Sequence, residues 1–308
     1  MQNKISILMA TYNGEHYIKS QINSLLQQTY SNWILYIQDD GSCDNTIKII
    51  KEYMKYDDRI ILLENNKKQG VGMNFLSMLK YINTDYAIFC DQDDIWLERK
   101  IEFMVNFANK NEMSISSLPS ILYTDGYPYI DDTNEIIFSS ISTNHAKKLK
   151  DFLFFNGGYQ GCSILFNKAM VMLLRDYNDY IHHHDDLISL AAHSLGNVYF
   201  LPKKLMLYRQ HSKAVTGNKK FKYNYFTHNN NVDYLLSLSH HKCKLAFYKN
   251  FNHRMDIENK KVFDSYILFS SNDKNINDIF ILLKNKFTLG GSRIKLLIKY
   301  FIRKKFSQ

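Results

Sequence analysis

A strand–turn–helix unit recurs along the first hundred residues and constrains the fold more than any other feature of the sequence. Short apolar runs rich in β-branched residues lie at 5–11, 33–38, 60–63 and 86–90. After each of the first three runs, a polar turn leads to a segment whose apolar residues have helical spacing. Repeated units of this kind predict a parallel sheet covered by helices. The chain is therefore expected to be of the α/β class.

Polar residues follow the predicted strands at the same edge of the sheet. Thr11 closes the first strand, Asp39 and Asp40 follow the second, and Asp91 and Asp93 follow the fourth. In open α/β sheets, ligands bind beyond the carboxyl ends of the strands. We therefore expect one crevice to collect these five side chains.

Two interpretations apply to the acidic turns. Asp91, Asp93 and Asp94 at a strand end can converge on a divalent cation, which prefers oxygen ligands. The same residues are common in solvated turns, and aspartate is a favoured helix N-cap. Two acidic turns on one edge favour a ligand, because uncompensated like charges in a crevice are costly. A nucleoside would supply hydrogen-bond donors, and a metal would supply positive charge.

Other motifs exclude several enzyme classes. Gly70 and Gly72 lack the third glycine of a dinucleotide fingerprint, and there is no Walker A or G-x-S-x-G sequence. The neighbouring His182 and His183 are interpreted as a polar loop, since adjacent histidines rarely share one tetrahedral metal centre. Asp185 differs, because a carboxylate that begins a helix beside the crevice can act as a general base.

The second half of the chain gives a weaker pattern. We predict strands at 120–124, 161–166 and 198–208, with the last divided or bent at Pro202, and helices at 97–107, 146–154 and 184–195. After Gly217 the composition changes to lysine-rich and aromatic-rich helical segments. We therefore divide the chain into residues 1–217, a catalytic domain, and residues 218–308, a helical and basic C-terminal extension.

The net charge of +9 is concentrated at the C-terminus. Residues 284–308 contain eight basic residues and no acid, so the preceding chain is close to neutral. This distribution does not indicate a nucleic-acid-binding surface across the fold. The four cysteines are far apart and include no C-x-x-C pair, which predicts neither disulfides nor a zinc ribbon and favours a reducing cytoplasm.

Four spaced blocks together resemble the bacterial inverting glycosyltransferases of family 2, which have the GT-A fold. The blocks are M-A-T-Y-N-G from Met9, Q-I with S-L-L-Q-Q-T-Y from Gln21, D-D-G-S from Asp39, and C-D-Q-D-D-I-W from Cys90. Together with the later Q-G-C, H-D and Y-R-Q-H sequences, they look most like the rhamnosyltransferase branch that builds surface polysaccharides. The resemblance covers roughly residues 4–217. It implies a Rossmann-like, mixed but mostly parallel sheet flanked by helices.

The resemblance also implies roles for individual residues. Asp91 and Asp93 would hold Mg²⁺ or Mn²⁺ on the donor diphosphate, and His211 would be a further metal or diphosphate ligand. The nucleoside would contact the residues at the ends of the first two strands, namely Thr11, Tyr12, Asp39 and Asp40. Asp185 would be the catalytic base, although Asp186 beside it leaves this assignment open by one residue. The donor would be a dTDP- or UDP-linked sugar.

The chemistry of that family is consistent with these residue types. An acceptor hydroxyl attacks the anomeric carbon in line with departure of the nucleoside diphosphate. Such a reaction requires a base and a group that stabilises the leaving group, and it needs no covalent enzyme intermediate. We expect transfer of rhamnose from dTDP-rhamnose to the hydroxyl of a saccharide acceptor, either free or linked to a lipid. The alternatives are a UDP-hexose or UDP-N-acetylhexosamine transferase and a non-catalytic scaffold of the same fold.

The C-terminal segment 292–306 has the pattern of a basic amphipathic helix. Ile294, Ile298 and Phe301 recur at helical spacing, with Lys295 and Lys299 between them. Such a helix can lie in an anionic membrane interface, or it can pack on the catalytic domain with a solvated basic face. We expect a cytoplasmic protein in peripheral contact with the inner surface of the cell membrane, and no nucleic-acid partner.

Overall fold

The computed structural model describes residues 3–65, 67–212, 233–271 and 273–307. Most of its strands form one large sheet, with helices packed on both faces. The strands are β1 (Ile5–Thr11), β2 (Trp33–Asp39), β3 (Ile60–Leu63), β4 (Tyr86–Cys90), β5 (Ile95–Trp96), β6 (Ser120–Ile130), β7 (Glu135–Ile136), β8 (Ile164–Asn167), β9 (Asn197–Gln210), β10 (Tyr234–Leu236) and β11 (Lys304–Phe306).

The helices alternate with the strands in the first half of the chain and dominate its C-terminal part. They are α1 (Ile18–Leu26), α2 (Thr46–Tyr53), α3 (Val71–Ser77), α4 (Lys100–Lys110), α5 (Leu149–Phe152), α6 (Lys168–Leu174), α7 (His184–Leu195), α8 (Leu238–Phe251), α9 (Ile257–Ser270), α10 (Ile276–Lys284) and α11 (Arg293–Ile302).

The sheet order in the described part of the chain is β3-β2-β1-β4-β8-β6-β9-β5, with β7 paired to β6. The first four strands are parallel, β8 is antiparallel to both of its neighbours, and β6 pairs in parallel with β9. β10 and β11 form a separate parallel pair that joins the two ends of the C-terminal region. The expected mixed, mostly parallel sheet flanked by helices is confirmed.

The sequence predicted the bounds of β1, β3, β4 and α7 correctly but made β6 too short. β6 continues six residues beyond Thr124 because its second half pairs with β9. β9 is a single strand that passes through Pro202, rather than one broken there. Pro202 lies between Phe200 and Lys204, where the register with β6 shifts, so its missing N–H interrupts no regular pair.

The C-terminal helices pack against the catalytic part of the chain through a shared aromatic core. The ring of Phe154 contacts those of Tyr266, Phe269 and Phe287 at centroid distances of 5.8, 5.3 and 5.2 Å, all edge-on. Such contacts add stability beyond the burial of apolar area. The predicted boundary between residues 217 and 218 lies outside the described residues. Among the described residues, no helix has the length and hydropathy needed to cross a membrane.

Candidate active site

The sheet register brings the ends of β1, β2 and β4 together. Thr11 lies opposite Asp39 across the β1–β2 pair, and Met9 lies opposite Cys90 across the β1–β4 pair. The residues that follow these strands therefore share one edge of the sheet. This is the edge at which the sequence predicted a crevice.

Asp39 holds the turn after β2 in shape. Its Oδ1 accepts a hydrogen bond from the hydroxyl of Thr11 at 2.8 Å, and its Oδ2 accepts from the backbone N–H groups of Gly41 and Ser42 at 3.0 and 2.7 Å. Gly41 has a φ of +87°, a left-handed conformation that favours glycine. The buried Asp39 carboxylate is thus engaged within the turn on both oxygens.

Asp40 connects the same turn to the loop before α3. Its two oxygens accept hydrogen bonds from the backbone N–H groups of Gln69 and Gly70 at 2.7 and 2.9 Å. Tyr12, at the mouth of the crevice, has a side chain that is 43% exposed, with Nζ of Lys68 3.9 Å from the ring centroid. The ring is accessible to a planar ligand, whereas Asp40 is buried behind it.

Gln92 joins the loop after β4 to the loop after β1, a contact that the sequence analysis missed. Its side-chain amide accepts a hydrogen bond from the N–H of Tyr12 and donates one to the carbonyl of Tyr12, both at 3.0 Å. Gly14 makes room for this amide, because a Cβ there would lie 2.2 Å from Oε1 of Gln92. The two loops are therefore held together by the residue between Asp91 and Asp93.

A compact group of ligand atoms lies beneath the loop after β4. Single ligand atoms of Asp91, Asp94 and Cys162 all lie within 4.8 Å of one another. Burial, followed by the charge of Asp93, raises the pKa of Asp91 to about 7. Burial also raises the pKa of Asp94 well above its ordinary value, and Oδ2 of Asp94 has no hydrogen-bond partner in the described structure. In the metal-free protein, these two carboxyl groups therefore favour their protonated forms.

Lys100 is the buried cation nearest this cluster. Its Nζ donates to the carbonyl oxygen of Cys162 at 2.6 Å and lies 3.9 Å from the centroid of the Trp96 ring. Burial lowers the pKa of this amine to about 8, against the opposing influence of Asp94 and Asp91. Lys100 is the first residue of α4, a helix that was predicted to begin at residue 97. Its role was not foreseen, because its partners are distant in sequence.

Asp93 and His211, two of the predicted ligands, lie close together near the acidic loop. Nε2 of His211 lies 2.9 Å from Oδ2 of Asp93, although 118 residues separate them. Carboxylate oxygens and an imidazole nitrogen form a donor set that suits Mg²⁺ or Mn²⁺. Asp91, the third predicted ligand, groups instead with Asp94 and Cys162, so the predicted ligands lie in two separate groups of atoms. The unpartnered oxygen of Asp94 belongs to the group with Asp91 and would accept a cation there. The described residues are therefore compatible with the expected metal.

Arg209 draws four elements together around the acidic loop. Its Nε donates to the carbonyl of Asp93 at 2.6 Å, its Nη1 is paired with the carboxylate of Asp131, and its Nη2 donates to the hydroxyl of Ser20 at 3.2 Å. Its backbone N–H donates to Oδ1 of Asp94 at 3.0 Å. The guanidinium thereby positions the end of β9, and with it His211, against the loop after β4.

Asp185 and Asp186, at the start of α7, have different surroundings. Oδ2 of Asp186 lies 2.5 Å from Nδ1 of His240 on α8, whereas Asp185 lies near enough to Asp91 for their charges to interact. Burial, then the charges of Asp186 and Asp91, raises the pKa of Asp185 well above its ordinary value. A carboxylate with a raised pKa is a stronger proton acceptor once ionised.

His184 contributes packing rather than chemistry. Its ring lies between those of Phe75 and Phe89, at centroid distances of 3.9 and 4.6 Å. Burial lowers its pKa to about 3, so the imidazole is neutral. Gly161 permits this placement, because a Cβ there would lie 2.4 Å from Nε2 of His184.

A protein-family comparison identifies the chain. The family model described as Glycosyl transferase family 2 matches residues 6–171, more than half of the sequence. The chain belongs to glycosyl transferase family 2. The matched region contains the turns after β1, β2 and β4, while α7, β9 and the C-terminal helices follow it.

Two relatives of this family 2 chain align with different fractions of its length. The chain is 31% identical to the dTDP-rhamnosyl transferase RfbG of Shigella flexneri over 231 residues, which are 70% of this chain and 76% of that protein. It is 41% identical over 110 residues to the UDP-Glc:alpha-D-GlcNAc-diphosphoundecaprenol beta-1,3-glucosyltransferase WfgD of Escherichia coli. The second match spans 36% of this chain and 43% of the relative.

Solved structures agree with the family 2 chain in fold. TarS 1–349 of S. aureus in complex with UDP-GlcNAc has a TM-score of 0.56 at 15% identity, covering 92% of this chain and 80% of that one. The Pyrobaculum calidifontis mannosyltransferase PcManGT, in complex with GDP-Man and Mn²⁺, has a TM-score of 0.52 at 10% identity, covering 98% and 88%. At these identities the likeness establishes the GT-A fold alone.

Replacing Arg209 with lysine is expected to destabilise the family 2 chain. Lysine lacks the planar, forked guanidinium and cannot serve Asp93, Asp131 and Ser20 together. We expect Arg209→Lys to lower the free energy of unfolding by about 2 kcal/mol, the scale of a buried hydrogen bond to a charged group. Denaturant unfolding measures this loss. Arg59→Lys is the matched control, because Arg59 pairs with Asp57 near the surface, and an equal loss there would contradict the role of Arg209.

A methyl group at Gly158 is expected to disturb the start of α7. A Cβ there would lie 2.3 Å from the carbonyl oxygen of Asp185, whereas a Cβ at Gly157 would have 3.9 Å to its nearest neighbour. Gly158→Ala should lower the free energy of unfolding by about 1–3 kcal/mol through overpacking. Gly157→Ala serves as the control and should change it little. Equal effects of the two substitutions on denaturant unfolding would show that the close approach is unimportant.

The raised pKa of Asp91 predicts a pH-dependent stability in metal-free buffer. Folded Asp91 keeps its proton up to about pH 7, whereas the unfolded residue releases it near pH 4. Its stabilising contribution is therefore complete at low pH and is lost as the pH rises towards 7. We expect Asp91→Asn to flatten the decline in unfolding free energy between pH 4 and 7, measured with urea and EDTA. Exposed Asp58→Asn should leave the decline intact.

Proposed function

We propose that this chain transfers a sugar from a nucleotide-sugar donor to an acceptor hydroxyl, with inversion at the anomeric carbon and with a divalent cation. Membership of glycosyl transferase family 2 supports the reaction class. The observation that carries the proposal is the approach of His211 to Asp93, 2.9 Å apart, at the sheet edge that also holds Asp91. Such an arrangement suits the binding of a cation and a diphosphate.

The nucleoside is proposed to bind at the ends of β1 and β2. The exposed ring of Tyr12 offers a face to the base, and Thr11 lies directly before it. Asp39 and Asp40 lie in the adjacent turn and stabilise it through the hydrogen bonds described above. Their remaining acceptor capacity is available to donors on the base or ribose, since each carboxylate oxygen can accept more than one hydrogen bond.

Asp91, Asp93 and His211 are the proposed ligands of Mg²⁺ or Mn²⁺. When bound, the cation supplies neutralisation of the charge that develops on the departing diphosphate, an effect typically worth several kcal/mol. Asp94 and Arg209 fix the backbone of the acidic loop and so orient the ligands. Lys100 limits the negative charge beneath them.

Asp185 is the proposed general base. The acceptor oxygen would form a bond to the anomeric carbon while the bond from that carbon to the diphosphate breaks. The nucleoside diphosphate leaves with the electron pair, and the hydroxyl proton passes to the carboxylate of Asp185. Asp186 is the weaker candidate, because its carboxylate is paired with His240 on the side of α8.

The proposed donor is dTDP-rhamnose, and the proposed acceptor is a precursor of a cell-surface polysaccharide. Similarity to the dTDP-rhamnosyl transferase RfbG over 70% of the chain supports this donor. A UDP-hexose is the second candidate, because the stretch 41% identical to a UDP-Glc-dependent enzyme is the more similar of the two. The name of that relative includes a diphosphoundecaprenol acceptor, which favours a lipid-linked acceptor here.

Nucleotide binding provides the first test. Addition of dTDP or UDP with Mn²⁺ should raise the melting temperature. At a hundredfold excess of nucleotide over Kd, the free energy of unfolding should rise by about 2.7 kcal/mol. The shift should disappear in Asp93→Ala. It should persist in Asp58→Ala, because Asp58 is an exposed carboxylate just before the first residue of β3, at the edge of the sheet away from the site. A response to dTDP and not UDP favours rhamnose, and the reverse favours a hexose. GDP and CDP complete the panel.

The outcome that would contradict the donor site is a melting temperature unchanged by all four nucleotides, with and without metal. In that case the non-catalytic scaffold becomes the better interpretation. A shift that survives Asp93→Ala would instead contradict the assigned metal ligands while leaving nucleotide binding in place.

Removal of the proposed base should separate binding from transfer. Asp185→Asn is expected to retain the nucleotide-dependent thermal shift while lowering the rate of sugar transfer by about 100- to 10,000-fold. The rate is measured as release of nucleoside diphosphate in the presence of acceptor. Asp186→Asn is the paired variant. If it loses more activity than Asp185→Asn at unchanged stability, the base is Asp186.

A further inference from the structure

The last helix, α11, has apolar residues on two opposite sides. Leu296 and Tyr300 are buried against the rest of the chain. With 100° between successive residues, a second group projects to the opposite side of the helix. This group is 53–73% exposed and consists of Ile294, Ile298, Phe301 and Ile302. An amphipathic helix that served only to cover a core would have polar residues at those positions.

Helix α10 repeats the arrangement. Asp278 and Leu282 face inward and are buried. On the opposite side, the apolar side chains are 50–77% exposed and comprise Ile276, Phe280 and Leu283. These seven side chains of α10 and α11 are here named the outer apolar residues. Large apolar groups concentrated on an exposed surface indicate an interaction site, because scattered ones are common but clustered ones are not.

Basic residues border the outer apolar residues of α11. Lys295, Lys299 and Arg303 follow one another along the helix on the flank between its exposed and buried sides. An open groove of about 620 Å³ runs along this flank. Three isoleucines and three cations line the groove, together with Asp233 and Ser292. The isoleucines are Ile294, Ile298 and Ile302, and the cations are Lys295, Lys299 and Arg303.

We propose that the outer apolar residues and the basic flank of α11 form a docking surface for an anionic lipid bilayer. Isoleucine and phenylalanine side chains would enter the boundary between headgroups and acyl chains, while the cations contact the lipid phosphates. The buried side of α11 holds the helix on the fold, so the exposed side is presented without rearrangement. The helix would then lie along the membrane surface, consistent with the lack of a membrane-spanning helix among the described residues.

Charge favours a lipid surface over a second copy of this chain. A symmetric contact between two α11 helices would bring Lys295, Lys299 and Arg303 of both copies together. Residues 284–308 contain no acid, and the groove lining offers Asp233 against the three cations of each copy. An anionic bilayer supplies the opposite charge across its whole surface. Each basic residue near such a surface contributes about 1 kcal/mol, and the three together correspond to a roughly 150-fold change in partitioning.

The proposal is tested with the whole 308-residue chain and lipid vesicles. Co-sedimentation should occur with phosphatidylglycerol-containing vesicles, fall steeply with salt, and be weak with phosphatidylcholine alone. The charge variant Lys295→Gln/Lys299→Gln/Arg303→Gln should bind anionic vesicles about 100-fold more weakly. The apolar variant Ile294→Ser/Ile298→Ser/Phe301→Ser should also lose binding, because the buried apolar area is removed.

Matched controls replace similar residues elsewhere. Lys48→Gln/Lys51→Gln/Lys55→Gln removes the same charge from the exposed side of α2 and its C-terminal end, and Ile115→Ser/Leu118→Ser/Phe138→Ser removes exposed apolar groups from other loops. Both controls should retain vesicle binding. Circular dichroism and the nucleotide thermal shift confirm that each variant is folded. They also separate this proposal from the proposed transfer reaction, on which it does not depend.

Several results would overturn the proposal. One is absence of sedimentation with anionic vesicles, and another is equal loss of binding in the α11 variants and the controls. A dimer in light scattering that the apolar variant disperses, without vesicle binding, would assign the surface to a second copy. A large drop in melting temperature of the apolar variant, again without vesicle binding, would show that the residues are covered by another part of the chain.

Discussion

The crowding of three carboxylates into one turn after β4 is the constraint on which the rest of the site depends. Asp91, Asp93 and Asp94 lie where desolvation and mutual repulsion raise the pKa of two of them. Such a cluster persists only with compensating donors and cations. Lys100 provides a cation from below and Arg209 another from the side, yet the pKa values of Asp91 and Asp94 stay raised. Only a further positive charge would favour the ionised form of these carboxyl groups.

This requirement explains why β9 is long and returns to the same edge of the sheet. β9 pairs with β6 along most of its length, and this pairing carries Arg209 and His211 to the acidic loop. There, Arg209 fixes backbone groups of Asp93 and Asp94, and His211 meets the carboxylate of Asp93. The arrangement around the acidic loop is therefore produced jointly by the first half of the chain and by a strand more than a hundred residues later.

The C-terminal region has two relations to this site. On its inner side, α8 supplies His240, which pairs with Asp186 next to the proposed base, and Lys244, which donates to the carbonyl of Phe155. On its outer side, α10 and α11 expose apolar residues bordered by cations. The region thus supports the start of α7 and presents a separate surface.

The sequence by itself determined the α/β class, the bounds of β1, β3, β4 and α7, and the location of Thr11, Asp39, Asp40 and Asp91 at one edge. These follow from local periodicity and from the rule that parallel strands share their carboxyl ends. Only the tertiary structure decided which partners these residues have. Gln92 with Tyr12, Lys100 with Cys162, and Arg209 with Asp93 join positions 62 to 116 residues apart, and spacing along the chain carries no information about such contacts. It likewise decided which side of α11 is buried, because that depends on what the helix packs against.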